Sequence, residues 1–296
     1  MAADEWPSQP GLHTEKLDCE GLLGQRRKVQ YYVPEGLSAA EPVPLVVALH
    51  GGISSPKNIR RRSMLNELAD REKLVAAYPQ GNGLFGLLLH WNAGFCCGKA
   101  VDKGIDDVAF VLEAIDRLAA TVPVDTSRVY VLGFSNGAML TYSIAAAHPD
   151  RIAGIAGVSG ALGRVTPGGA IDWPIEPPPG GMPTIVIHGS ADPRLPFDGD
   201  PEAGGGIGSV PVLESARFWA RANGCATESE PPSGFDNVLR WAWQDCASGN
   251  PVTLYRLGGW GHRWSGRSPH TKADFTTVGS FETIEVIWEF FRAHGT

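Results

Sequence analysis

The stretch VYVLGFSNGAMLTYSIAAAHPD, Val129 to Asp150, changes character at one residue. Val129 to Gly133 favour an extended chain, whereas the apolar positions after Asn136 recur at helical spacing. A strand that breaks so sharply into a helix leaves its connecting residue at the tip of a tight turn, and that residue is Ser135. Gly133 to Gly137, GFSNG, keep the G-x-S-x-G spacing in which a serine hydroxyl is held out from a strained turn at a strand end. Glycine at both ends removes side chains where the turn crowds its neighbours. The N–H of Asn136, first in the helix, points toward a developing oxyanion. The bland alternative is a small residue in a tight turn. The bare pattern recurs by chance, but the strand before it and the helix after it are what the chemistry requires.

A serine hydroxyl is a poor nucleophile until a base takes its proton. The chain has eight histidines, and in a fold of this kind the base comes last, on a loop after the final core strand. His262 in GGWGHRWSG follows the strand-like VTLYRL, sits among glycines that permit a sharp loop, and precedes the closing helix. His270 is the rival. His50 and His188 end strands as His-Gly, where a side chain satisfied by nearby backbone is the expected role; His13, His90, His148 and His294 carry no comparable context. The base needs an acid to hold its tautomer and stabilise the imidazolium. Asp192 in TIVIHGSADPRLP falls between serine and histidine, just past an apolar run. Asp198, Asp200 and Asp172 are the alternatives, and a solvated loop carboxylate is the competing reading for each. The order Ser135, Asp192, His262 is that of α/β-hydrolases. A second oxyanion donor belongs on the loop after an early core strand, where LVVALHGGIS supplies Gly52 N–H, with Ile53 the alternative.

Strand-like runs at 29–33, 45–50, 73–79, 128–134, 152–160, 184–189 and 252–259 alternate with helical patterns at 57–72, 136–148, 209–223 and 280–293. A further helix starts near Ile105, where Ile105, Val108, Leu112, Ile115 and Leu118 recur at three- and four-residue steps. Asp106 and Asp107 sit in its first turn, where the helix dipole favours anions. Several of the strand-like runs are apolar throughout, as when helices cover both faces of a parallel sheet. The alternation predicts an α/β-hydrolase fold with a mostly parallel central sheet and helices on both faces. One catalytic domain is expected over 25–296, after an N-terminal extension at 1–24. The Pro/Gly-rich stretches 166–183 and 197–211 read as loops at one end of the sheet.

Net charge is −7 without a run of like charges. The nearest basic cluster, Arg60, Arg61 and Arg62, reads as a solvated helix face, so nucleic acid is not an expected partner. No apolar run reaches the roughly 18 residues that cross a bilayer. The first residues lack the basic-then-apolar pattern of a secretory signal, so a soluble chain with no membrane partner is expected. His, Cys, Asp and Glu show no metal-ligand spacing, and GGGIGS (204–209) lacks the strand and spacing of a nucleotide-binding loop; neither metal nor cofactor is expected. Of five cysteines, Cys225 and Cys246 flank a Pro- and Trp-rich excursion too irregular to hold itself together. A bridge between them would limit the unfolded chain by about 3 kcal/mol on a chain-entropy estimate. Cys96 and Cys97 either join each other or send one partner to Cys19. Bridges imply an oxidising compartment, so a secreted or periplasmic protein is the expectation.

Taken together, LVVALHGG, YPQGN, WNAGFCCG, IDDVAFV, VDTSRVYVLGFSNGAML, HGSADPRLPFDG, FWARANGC and GHRWSG resemble the polyhydroxybutyrate-depolymerase-like and feruloyl-esterase-like group of serine esterases. The likeness runs from about Gln25 to Phe291, and the joint order of so many motifs is more specific than the elbow alone. The resemblance implies an α/β-hydrolase fold, hydrolysis of carboxylic esters without a cofactor, and export. It supports Ser135, Asp192 and His262 position by position. Ser265 stands where the group commonly has proline, and Trp260 interrupts a glycine run before His262. Trp91 and Asn92, with Trp260 and Trp264, are candidates for an apolar wall around an acyl group; aromatics covering the sheet edge are the competing reading.

These readings converge on a serine esterase acting on a small-molecule or oligomeric ester. Ser135 attacks the carbonyl, neutral His262 takes its proton, Asp192 orients His262, and the N–H groups of Asn136 and Gly52 receive the oxyanion. An acyltransferase would keep the same triad and favour another alcohol over water. A binding module on the same scaffold would lose a triad member, and none is lost.

Overall fold

The run from Val43 to Leu49 is apolar throughout because both of its faces are covered: Leu45, Val47 and Leu49 enter one core, Val46 and Ala48 the other. The computed structural model describes residues 9–20, 26–84, 87–166, 168–206, 208–229, 237–266 and 281–295. In chain order, β1 (Gly11–Glu20), β2 (Arg26–Val33) and β3 (Val43–Leu49) lead into α1 (Pro56–Ser63) and α2 (Leu65–Glu72). Then come β4 (Val75–Pro79), a hairpin of β5 (Asn82–Leu84) and β6 (Leu87–His90), α3 (Gly98–Asp102) and α4 (Asp107–Ala119). β7 (Val124–Phe134) and α5 (Asn136–Ala147) form the elbow pair, followed by β8 (Gly154–Val158), a hairpin of β9 (Arg164–Val165) and β10 (Ile171–Asp172), and β11 (Thr184–Gly189). α6 (Ala203–Gly206), α7 (Val212–Ala222), β12 (Cys225–Ser229), β13 (Val238–Cys246), β14 (Val252–Leu257) and α8 (Thr283–His294) complete the chain.

The ten-stranded sheet has the order β1-β2-β4-β3-β7-β8-β11-β14-β13-β12. From β4 to β14 the pairs are parallel, and the two strands at each outer end are antiparallel. One face packs on α4, α5 and α7 and the other on α1, α2 and α8. This is the α/β-hydrolase architecture, and every strand-like run read from the sequence lies in it. No described helix is long and apolar enough to cross a membrane.

Three local readings need correction. The helix expected at 57–72 is two helices, because Met64 takes a left-handed conformation (φ 58°) between them. The excursion between Cys225 and Cys246 is regular where described: β12 and β13 pair antiparallel, with Cys225 opposite Cys246. Those two cysteines are joined, Cys96 is joined to Cys97, and Cys19 is free. Within the segment read as an extension, Gly11–Glu20 forms the edge strand of the sheet on β2.

Candidate active site

Ser135 sits between β7 and α5 with φ 55° and ψ −123°, outside the regions that side chains ordinarily occupy. The glycines on either side explain how the chain reaches that conformation. A Cβ at Gly133 would lie 2.2 Å from Gly137 O, and one at Gly137 would lie 2.4 Å from Leu49 O. Ser135 N–H donates to Val158 O (2.8 Å), which ties the turn to β8.

The loop after β14 brings His262 over the elbow. Its Nε2 is 2.9 Å from Ser135 Oγ and its Nδ1 2.7 Å from Asp192 Oδ2. The second oxygen of Asp192 accepts the N–H groups of Arg194 (2.8 Å) and Leu195 (3.0 Å). His188 adds a contact that sequence reasoning missed. Its Nε2 faces Leu195 O at 2.8 Å and Asp192 Oδ2 at 3.3 Å, so this nitrogen, flanked by two acceptors, carries the proton. Burial raises the Asp192 carboxyl, but the hydrogen bonds from His188 and His262, with the Leu195 N–H, outweigh it and hold the group well below the usual carboxylate range. Phe134 packs beside His262, ring centroids 5.2 Å apart.

Of the two candidates on the loop after β3, Ile53 N–H is already bonded to Leu89 O (2.8 Å), while Gly52 N–H has no backbone acceptor among the described residues. Asn136 N–H opens α5, where the first N–H groups lack intrahelical partners. The Asn136 side chain does other work. Its Oδ1 accepts Trp91 N–H (2.7 Å) and its Nδ2 donates to Trp91 O (3.0 Å), which clamps the segment after β6 against the elbow. A cleft of about 640 Å³ lies over Ser135, with Gly52, Asn136 and His262 in its wall.

Residues 28–172 match the family described as esterase PHB depolymerase. The chain is also 32% identical over 268 residues to NocK, a candidate esterase of Nocardia uniformis subsp. tsuyamanensis, a match covering 83% of this chain and 72% of that protein. The chain belongs to the esterase PHB depolymerase family. This PHB-depolymerase-type chain is similar to feruloyl esterase B of Piromyces equi, at 26% identity over 240 residues, and spans 80% of its own length but 42% of that protein's. Among solved structures, it shares its fold with an acetyl xylan esterase from Aspergillus awamori, with a TM-score of 0.62 at 16% identity, covering 95% of this chain and 99% of that one.

The structure places the remaining sequence candidates of this family member away from the cleft. Trp91, Trp260 and Trp264 are 0%, 1% and 3% exposed, packed in the cores rather than lining the cavity. Trp91 Nε1 donates to His50 O (2.7 Å), and Trp260 Nε1 donates to Arg263 O (3.0 Å) inside the histidine loop. Asn92 braces its own loop, its N–H bonded to Asp107 Oδ2 (2.6 Å) and its side chain to Ile105 O (2.9 Å). Among the rival acids, Asp172 pairs with Arg164 (2.7 Å) and Asp200 accepts Glu202 N–H (2.8 Å). Asp198 is exposed. His270 lies outside the described residues. His50 is structural, its Nδ1 on Gly51 O (2.8 Å) and its Nε2 accepting Gly81 N–H (3.0 Å), and burial lowers it to about 4. Ser265, the departure from proline, donates to Phe281 O (2.9 Å) and ties the histidine loop to the approach to α8.

Proposed function

We propose that the protein is a serine carboxylic ester hydrolase working through an acyl-enzyme on Ser135, on feruloyl, acetyl or hydroxyalkanoyl esters. The observation that carries this reading is the unbroken relay from Asp192 through His262 to Ser135 Oγ, with both links at 2.9 Å or less. The Asp192 carboxylate fixes the proton on His262 Nδ1, leaving Nε2 as the acceptor for the serine proton. The alkoxide attacks the ester carbonyl, and the developing oxyanion meets Gly52 and Asn136 N–H; losing one such donor typically costs about 3 kcal/mol of barrier. The imidazolium protonates the leaving alcohol, and neutral His262 then activates water to release the acid. The family and the feruloyl esterase relative support the ester class. The Cys225–Cys246 bridge supports an exported protein, since such bonds persist in oxidising compartments.

In the decisive experiment, a fluorophosphonate probe should label the wild type and leave Ser135→Ala unlabelled, while Ser135→Ala loses turnover of p-nitrophenyl acetate but keeps its circular-dichroism spectrum. Retained turnover in purified Ser135→Ala would place the nucleophile elsewhere. Methyl ferulate, short p-nitrophenyl esters and hydroxybutyrate oligomers compared side by side would rank the acyl groups. Product analysis with added alcohol separates hydrolysis from acyl transfer.

A further inference from the structure

The arginine run at 60–62 reads from the sequence as a solvated helix face, yet the structure sets its last member apart. Arg62, in the final turn of α1, lines the cleft over Ser135, and Arg194, two residues past Asp192, lines it from the loop after β11. Both are exposed, and neither guanidinium forms a salt bridge or side-chain hydrogen bond with a described residue. Other arginines on this surface do find acids: Arg26 pairs with Asp18 (3.0 Å), Arg71 with Glu285 (2.6 Å) and Arg217 with Glu228 (3.0 Å). The other polar side chains of the cleft wall, such as Ser54, Asn58 and His90, are not acidic, and among the described residues no aspartate or glutamate lines it. On a chain of net charge −7 this local excess of positive charge is not a by-product of a basic surface.

We propose that the cleft selects esters whose acyl chain ends in a carboxylate of its own, half-esters of dicarboxylic acids, with the anionic end on Arg62 and Arg194 and the scissile carbonyl at Ser135. This rests on the serine-hydrolase reading and narrows its substrate class. A guanidinium offers a carboxylate two parallel N–H donors, which fixes orientation as well as charge. The contacts lie away from the breaking bond, so they act on kcat/KM through placement of the ester.

Matched substrates test the proposal: mono-4-nitrophenyl glutarate and 4-nitrophenyl valerate have acyl chains of equal length that end in a carboxylate and a methyl group. The ratio of their kcat/KM values should exceed one in the wild type at low salt. It should fall as NaCl rises from about 10 mM to about 1 M and the screening length shrinks from about 30 Å to about 3 Å. Arg62→Gln and Arg194→Gln should each lower the ratio about threefold, and the double variant about tenfold, the range expected for exposed ion pairs. A wild-type ratio below one, or a ratio that neither salt nor the double replacement moves, overturns the proposal. Ser135→Ala reports separately: survival of both activities there would sink the serine reading, whereas a flat ratio with Ser135→Ala inactive would sink only the carboxylate preference.

Discussion

Asp192 collects two histidines and two backbone N–H groups, and its lowered pKa has a definite thermodynamic sign. A carboxyl depressed in the folded state adds stability above its unfolded value of about 3.9, and that stability is lost as pH falls through the folded value. Activity answers to a different group, because the general base of the proposed mechanism must be neutral to accept the serine proton. Lowering the pH should therefore remove activity first, with kcat/KM falling as the general base is protonated, while the melting temperature holds until the pH drops below about 4. Parallel pH profiles of kcat/KM and melting temperature check this; coincident loss of both, or a flat rate from pH 5 to 8, would contradict it. At this scale the sequence was legible where a residue's position is written into its local setting: Ser135 between a strand and a helix, Asp192 and His262 just past strand ends, which the fold brings within hydrogen-bond reach of one another. The His188 contact was hidden because it depends on how the turn from Gly189 to Leu195 folds back. The tryptophans were misread because spacing near a site does not reveal which way a ring faces.

At the level of the elements, the elbow works because β3, β7 and α5 approach one another more closely than side chains permit. Gly137 is the contact point: an added methyl would meet Leu49 O at 2.4 Å and His50 O at 2.5 Å, both of them main-chain atoms. Gly137→Ala should cost about 1–3 kcal/mol of stability as the helix shifts away from β3. It should also reduce kcat, because a movement of about 1 Å at Ser135 can cost about a hundredfold. Urea unfolding together with kinetics on p-nitrophenyl acetate would measure both, and a variant equal to wild type in each would show that the approach is looser than it looks. The parallel core was legible for the same reason that it is stable: buried strands are apolar on both faces. β12 and β13 were overlooked because outer strands carry mixed residues; in β13 only Ala242 and Trp243 are fully buried. The break at Met64 left no trace in the helical pattern, since no glycine or proline marks it.

Across the whole molecule, a buried ion pair joins β2 to the start of α4. Arg27 on β2 meets Asp107 at the start of α4 at 2.5 Å, and Asp107 also holds the Asn82 side chain (2.9 Å) and Asn92 N–H (2.6 Å). Burial pushes the Asp107 carboxyl up and the Arg27 guanidinium down, so each charge sits there at a desolvation cost that its partner only offsets in part. Arg27→Met leaves the carboxylate without its cation and should lose about 3–5 kcal/mol in urea unfolding at pH 7, with Arg27→Met/Asp107→Leu recovering part of it. A single-variant loss under about 1 kcal/mol would mean that the pair is dispensable. From the sequence, Asp106 and Asp107 both read as first-turn anions serving the helix dipole; Asp106 is the N-cap and accepts Ala109 N–H (2.8 Å), while Asp107, in the first turn, also holds Arg27. The long-range partnership was invisible because 80 positions separate the two charges along the chain, counting from Arg27 to Asp107. The Asn136 amide grips both main-chain groups of Trp91, and the same residue lines the cleft over Ser135. Chimeras that import the 91–98 stretch from a relative must therefore reproduce a donor and an acceptor at that single register, or the graft will disturb the Ser135 turn it was meant only to border.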